Sequence, residues 1–66
     1  MDEKLVLWRK LTEVRSEHRD LDEVINRMLV TGPIDQLQIQ RLKKRKLKLK
    51  DWITQLESEL IPDIDA

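Results

Sequence analysis

The sequence lacks the residues that most often give a very small protein extra stability. It has no Cys, so no disulfide can brace the fold, and His18 is its only histidine. It has no Phe or Tyr, and 66 residues are few for a core that is stable by itself. We therefore expect the chain to associate with itself, as a homodimer or a higher bundle.

Signatures of catalysis and of cofactor binding are missing too. With a single Gly, the chain has no glycine-rich loop that could hold a phosphate group. Neither Ser16 nor Ser58 lies in a motif that resembles a nucleophile elbow. His18 and Asp22, one helical turn apart, supply only two ligands, which is too few for a metal unless a symmetric copy adds two more. We expect no enzymatic activity, no cofactor and no metal.

Long apolar runs are also absent. No stretch approaches the roughly 18 apolar residues of a membrane-spanning helix, and the first residues, MDEKLVLW, lack the apolar segment of a signal peptide. Lys and Arg together number 13, as do Asp and Glu, so the charge is balanced. We expect a cytoplasmic protein that does not bind membranes.

Two long amphipathic patterns fill most of the chain. Apolar residues recur at alternating spacings of four and three, the pattern of a helix that packs against another helix. This predicts one helix over about residues 3–30 and a second over about 36–60. The predicted seam consists of Leu7, Leu11, Val14, His18, Leu21, Ile25 and Met28 in the first helix, and of Ile39, Leu42, Lys46, Leu49, Ile53, Leu56 and Leu60 in the second.

Capping signals mark where each helix begins. Asp2 is expected to be the N-cap of the first helix. For the second, Asp35 and Gln38 fit a capping box, while Ile34 and Ile39 occupy the two positions of a hydrophobic staple. The second helix is therefore predicted to begin directly after Asp35.

The two helices are joined by a turn predicted over residues 31–35. Gly32 is expected to end the first helix in a left-handed conformation, and Pro33 follows because it cannot continue a helix. The last residues, 61–66, are read as a frayed acidic tail. We expect a single all-α domain over residues 1–66, an antiparallel, coiled-coil-like two-helix hairpin that associates into a four-helix bundle.

The stretch RLKKRKLKLK, residues 41–50, concentrates seven positive charges in a chain of zero net charge. In the hairpin, residues lie opposite each other when their numbers add up to about 64. The basic run then faces residues 16–23, with their acids Glu17, Asp20, Asp22 and Glu23. At the open end of the hairpin, which is the end opposite the turn, Glu57 and Glu59 are expected near Lys4, Arg9 and Lys10. Pairing inside the hairpin is the favoured explanation of the charge.

Nucleic-acid binding is the alternative explanation. The run has the positive charge that phosphates attract, but no Asn for reading bases and no aromatic residue for stacking on single strands. The candidate phosphate-binding residues are Arg41, Lys43, Lys44, Arg45, Lys48 and Lys50.

Several other residues do not fit a simple apolar seam. Leu5, Trp8, Leu47 and Trp52 fall outside it or at its edge, so we predict that they are buried in an oligomer interface. His18 and Lys46 are polar residues at seam positions and are predicted to lie in one layer. Such a layer costs stability but fixes register and association state. A pH switch at His18 is the functional alternative.

The segments EHRDLDEVI and QLQIQRLKKRKLKLKDWITQLESEL, joined by a short turn, resemble the YdcH-like family of small bacterial proteins, a domain of unknown function. The resemblance spans roughly residues 5–60, whereas the SlyX-like family of similar size is expected to end in a proline-rich tail. The YdcH-like resemblance implies a cytoplasmic bacterial helical hairpin that forms coiled-coil bundles, and it implies no known activity. Trp8 and Trp52 are not part of the pattern. The matching positions are His18, Leu21, Asp22, Leu42, Lys43, Lys44, Lys46, Leu47, Leu49, Lys50 and Asp51.

From the sequence we therefore expect a non-catalytic structural or protein-interaction module that associates with itself. Another helical protein is a second candidate partner. The alternative is a small nucleic-acid-associated protein that holds phosphates through the basic run 41–50.

Overall fold

Two long helices account for nearly all of the chain that the computed structural model describes, residues 2–32 and 35–60. Helix α1 spans Glu3–Thr31 and helix α2 spans Gln36–Leu60. These bounds differ from the predicted ones by at most one residue. The residues placed in the turn at 33 and 34, the staple residue Ile34 among them, and the predicted acidic tail lie outside the described residues.

Both helices begin at an aspartate that caps them. The Asp2 carboxylate accepts a hydrogen bond of 3.1 Å from the backbone N–H of Lys4. The Asp35 carboxylate likewise accepts one of 3.2 Å from the N–H of Gln38. Each bond satisfies one of the backbone donors that the first turn of a helix leaves without a partner. The predicted caps are confirmed at both helices.

The end of α1 differs from the prediction. Gly32 has φ −125° and ψ 166°, which is extended backbone and not the left-handed conformation that was expected. The next residue is Pro33, and a proline ring disfavours helical conformations in the residue before it and favours extended ones. The proline therefore decides the conformation of Gly32, and the residue at this position does not have to be glycine.

The helices pack side by side and antiparallel. Contacts of α1 with α2 pair Asp22 with Lys46 and Arg15 with Glu57, so the chain runs in opposite directions in the two helices. Every predicted seam residue is buried or half-buried. The buried ones are Leu11, Val14, Ile25, Ile39, Leu49, Ile53 and Leu56. The predicted all-α hairpin is confirmed, while its association into a four-helix bundle stays a prediction.

The best-packed part of the seam lies away from the turn. Its buried residues Leu11, Val14, Leu49, Ile53 and Leu56 form one cluster, against which Leu7, Leu21 and Leu60 pack. Ile25 and Ile39, the buried residues nearest the turn, do not belong to this cluster. Among the described residues, the main buried cluster thus lies in the half of the hairpin away from the turn.

Candidate interaction surfaces

The seam is bordered on each side by a flank of exposed and half-exposed residues, and the contacts between the helices identify the two flanks. On one flank, the Lys10 ammonium lies 4.6 Å from the centre of the Trp52 ring. Glu17, seven residues after Lys10, lies 3.9 Å from the Arg45 guanidinium, seven residues before Trp52. Seven residues are two helical turns, so all four face the same way. We call this side the Trp52 flank.

The opposite side is identified by two further contacts. Arg15 donates a hydrogen bond of 3.2 Å to Glu57, and Lys46 donates one of 2.7 Å to Asp22. Arg15 and Asp22 are seven residues apart and directly follow seam residues, whereas Lys10 and Glu17 directly precede them. Trp8 lies seven residues before Arg15 and faces the same way. We call this side the Trp8 flank.

The two tryptophans therefore lie on opposite sides of the hairpin. The exposed fraction is 43% for Trp8 and 40% for Trp52, high values for such large apolar residues. Leu5 and Leu47, the other two predicted interface residues, are also exposed. The structure does not bring the four into one continuous patch, so no single flat interface can bury both tryptophans. That these residues form an oligomer interface stays a prediction.

A shallow apolar groove lies beside Trp52 on the same flank. Its floor and walls are made of leucines from both helices together with Val24, and its rim carries charges of both signs. Val24 is 45% exposed although it borders the seam. The lining residues are Leu21, Val24, Leu42, Leu49, Glu17, Asp20 and Arg45. An open apolar strip with a charged rim has the composition of a helix-binding surface.

The basic run is paired inside the hairpin only in part. Arg45 lies 3.9 Å from Glu17, and Lys46 binds Asp22. Within residues 2–32 and 35–60, no acidic side chain lies within 4.0 Å of the other charged groups of the run, which belong to Arg41, Lys43, Lys44, Lys48 and Lys50. The acidic stretch of α1 therefore neutralises only a minority of the positive charges of the basic run.

Several cations of the run instead share the outer surface of α2. Arg41, Lys44, Arg45 and Lys48 line one shallow concavity there. Their spacing of three and four residues places them along one stripe of the helix. This stripe is available to an anionic partner.

At the open end, the expected pairing of Glu57 with Lys4, Arg9 or Lys10 is wrong, because Glu57 contacts Arg15. Residues that follow seam positions meet on the Trp8 flank, and residues that precede them meet on the Trp52 flank. Lys10 belongs to the second set and Glu57 to the first. The contacts Arg15–Glu57 and Lys10–Trp52 could have been predicted by assigning each residue to the positions before and after the seam.

The predicted polar layer contains a third residue. Lys46 lies at its seam position, 32% exposed, and its ammonium binds Asp22. His18 is half-buried on the same helix as Asp22, four residues earlier. The hydrogen bond from Lys46 and the charge of Lys46 lower the pKa of Asp22 below its ordinary value of 3.8, and His18 acts in the same direction. Asp22 is therefore the charged partner of this layer. A regulatory role of His18 stays a prediction.

Among the residues that the structure describes, no group of three or more His, Cys, Asp or Glu side chains is arranged to hold a metal ion. Neither α1 nor α2 is apolar enough over a sufficient length to cross a membrane.

Comparison with known families identifies the chain. The sequence model of the family described as "Protein of unknown function (DUF465)" matches residues 11–57. The chain belongs to this family. The YdcH-like resemblance is thereby confirmed, since the YdcH-like proteins are part of DUF465. The matched range begins at the buried Leu11 and ends at Glu57, so it includes Trp52 of this DUF465 hairpin but not Trp8. Curated proteins and solved structures give no match. The cytoplasmic location and bacterial source implied by the resemblance stay predictions.

Proposed function

We propose that this DUF465 chain is a non-catalytic helical module that functions by associating with itself and with other helical proteins. The observation that carries the proposal is the exposure of both tryptophans next to a small core. Only seven residues of the described chain are buried, while Trp8, Trp52 and seven other large apolar residues are exposed. Tryptophan is among the residues that contribute most to protein interfaces.

The size of the chain supports the same proposal. A helical hairpin of two long helices has one seam and no second layer that could cover its flanks. Large apolar side chains on those flanks contribute stability only when another molecule binds there and removes them from water. A second copy is always present at the concentration of the protein itself, so it is the first partner to consider.

Sedimentation equilibrium and far-UV circular dichroism over roughly 1 to 100 µM protein test this proposal, because association makes folding depend on concentration. We expect a mass above that of the monomer at high concentration and a loss of helicity on dilution. Val30→Ser, which changes a residue that is already 82% exposed, serves as the control and should not alter the mass. A monomer that keeps its full helicity at about 1 µM would refute the proposal.

Nucleic-acid binding is a second candidate function, favoured by the cations of the basic run that find no acid within the described hairpin. Fluorescence anisotropy of a labelled random DNA duplex over a salt series tests it. Binding at micromolar concentration with a steep salt dependence, lost in Lys44→Glu but not in Arg9→Glu, would support phosphate binding by the stripe on α2. No binding at low salt would refute it.

A further inference from the structure

The middle of the Trp52 flank carries mainly acids on α1 and bases on α2, with Lys10 as the one base of α1 that the contacts place there. On α1, residues spaced by three and four positions form a short acidic line at Glu13, Glu17 and Asp20. On α2, the same spacing forms a basic line at Arg41, Arg45 and Lys48. Glu17 and Asp20 rim the apolar groove together with Arg45. The acidic line and the basic line thus belong to different helices and lie on either side of the apolar strip.

The two lines lie at matching heights along the hairpin. The Glu17–Arg45 contact fixes one height. Because the helices are antiparallel, Asp20 and Arg41 both lie about one turn nearer the interhelical turn, and Glu13 and Lys48 both lie about one turn nearer the open end. Each acid of α1 thus has a base of α2 at its own height.

Glu13 lies 3.9 Å from Lys10 on its own helix, whereas the other charges of the two lines are largely unused within the monomer. Glu17 and Arg45 meet only at 3.9 Å and remain 57% and 64% exposed. Asp20 and Arg41 have no oppositely charged group within 4.0 Å in residues 2–32 and 35–60. Acidic and basic lines that are not paired with each other inside one molecule can pair with the lines of opposite charge on a second molecule.

We propose that a second copy of this chain docks on the Trp52 flank about a two-fold axis parallel to the helices, which deepens the self-association proposed above and rests on it. Such an axis keeps heights unchanged and places α1 of each copy against α2 of the other. The acidic line of each copy then meets the basic line of the other. Trp52 meets Lys10 of the second copy, and the two apolar grooves close on each other. The result is a four-helix bundle in which neighbouring helices are antiparallel.

Charge distinguishes this arrangement from the other two-fold arrangement of two stacked hairpins. An axis perpendicular to the helices would place α2 against α2 and bring the two basic lines together. Like charges facing each other across an interface oppose binding and select against that arrangement. The acidic lines of the two α1 helices would repel each other in the same way.

Charge reversal at Asp20 and Arg41 tests the proposal, because neither residue makes an ion pair within the described hairpin. Asp20→Lys and Arg41→Glu each replace two attractive contacts of the symmetric dimer with two repulsive ones. Each variant alone should self-associate at least roughly tenfold more weakly than the natural chain at low salt. In an equimolar mixture, both contacts are again between opposite charges, so a heterodimer should form with nearly the original affinity.

Glu23→Lys and Lys43→Glu are matched controls. They make the same changes of charge on the outer face of α1 and on the Trp8 flank of α2, one helical turn or less from the tested positions. Neither control should weaken the dimer, and mixing the two should not favour a heterodimer. Sedimentation equilibrium gives the affinities, and native mass spectrometry gives the composition of the mixture.

Each outcome decides the matter. Two results would overturn this arrangement while leaving self-association intact. One is an equal loss of affinity at the tested and control positions. The other is a mixture of Asp20→Lys and Arg41→Glu that associates as weakly as each variant alone. If the natural chain itself is monomeric at all concentrations, both this inference and the proposed function fail.

Discussion

Lys46 donates a hydrogen bond of 2.7 Å to Asp22. Lys46 occupies a seam position, and most seam positions of both helices are occupied by apolar residues. The Asp22 carboxylate directly follows the seam residue Leu21 and borders the seam on the Trp8 flank. Because the ammonium can reach this carboxylate, the charge in the seam is compensated while the rest of the layer remains half-buried.

Removing the charge of Asp22 should make stability less dependent on acid pH. The pKa of Asp22 is lower in the folded chain than its ordinary value of 3.8, so the ionised form stabilises the fold above that pH. We expect Asp22→Asn to lower the free energy of unfolding at pH 7. The difference from the natural chain should shrink as the pH falls below 3.8 and disappear once the pH is below the lowered pKa of Asp22 in the folded chain, because both side chains are then neutral.

Urea unfolding followed by circular dichroism at several pH values measures this difference. Asp20→Asn is the control, since the Asp20 carboxylate has no ion-pair partner among the described residues. A gap between Asp22→Asn and the natural chain that persisted unchanged at pH 2 would contradict the role assigned to Lys46.

Replacing Lys46 by Leu should stabilise the hairpin. The side chain at this seam position is 32% exposed, and a leucine there would extend the apolar contact toward the turn. We expect the free energy of unfolding to rise by about 1 kcal/mol, because partial burial of a leucine outweighs one partly exposed ion pair. Lys50→Leu, at an exposed position on the same helix, should change it little. Urea midpoints at one fixed protein concentration allow the comparison, and a lower midpoint for Lys46→Leu would show that the pair matters more than burial.

Truncating Leu11 should severely destabilise the protein. Leu11 is 0% exposed and belongs to the main buried cluster. Leu→Ala changes in a packed core cost about 2–5 kcal/mol, which is a large part of the stability of so small a domain. We expect Leu11→Ala to be largely unfolded by circular dichroism at room temperature. Val30→Ala, at an 82% exposed position, should stay within about 0.5 kcal/mol of the natural chain, so similar losses in both would rule out this account of the core.

Replacing Gly32 by Ala should raise stability. The extended backbone of Gly32 is open to any residue, and among the described residues an added Cβ would meet the Met28 carbonyl oxygen at an ordinary distance of 3.8 Å. Alanine restricts the unfolded chain more than glycine does, so we expect a gain of about 0.4–1 kcal/mol in thermal or urea unfolding. A loss of stability would instead indicate the left-handed conformation that the sequence alone suggested.

The fold was predictable because one periodicity dominates the sequence. The alternating spacing of four and three positions runs through both helices, and Asp2 and Asp35 lie where N-caps are needed. Gly32 was misjudged since glycine after a helix usually favours a left-handed cap, while here the constraint from Pro33 takes precedence.

The surface was less predictable than the seam. A single register described which residues lie opposite each other, but the two flanks of an antiparallel pair follow different offsets. The sequence therefore placed Glu57 beside the wrong bases, and it grouped Trp8 with Trp52 although they face opposite ways. Whether a cation is paired depends on whether its side chain can reach an acid. Lys46 reaches Asp22, whereas Lys48 has no acid within 4.0 Å among the described residues. The apolar periodicity of the sequence contains no information about this reach.

The position of the buried cluster in the open half has a kinetic consequence. Leu11 and Ile53 meet only after a long segment of chain has been closed into a loop, whereas Ile25 and Ile39, which are buried to a similar degree, close a short one. Closing the short loop costs less conformational entropy, so we expect the layer of Ile25 and Ile39 to form first on folding and the main cluster to form after it. In stopped-flow measurements, truncating Ile25 or Ile39 should therefore slow folding, whereas truncations in the main cluster should mainly speed unfolding.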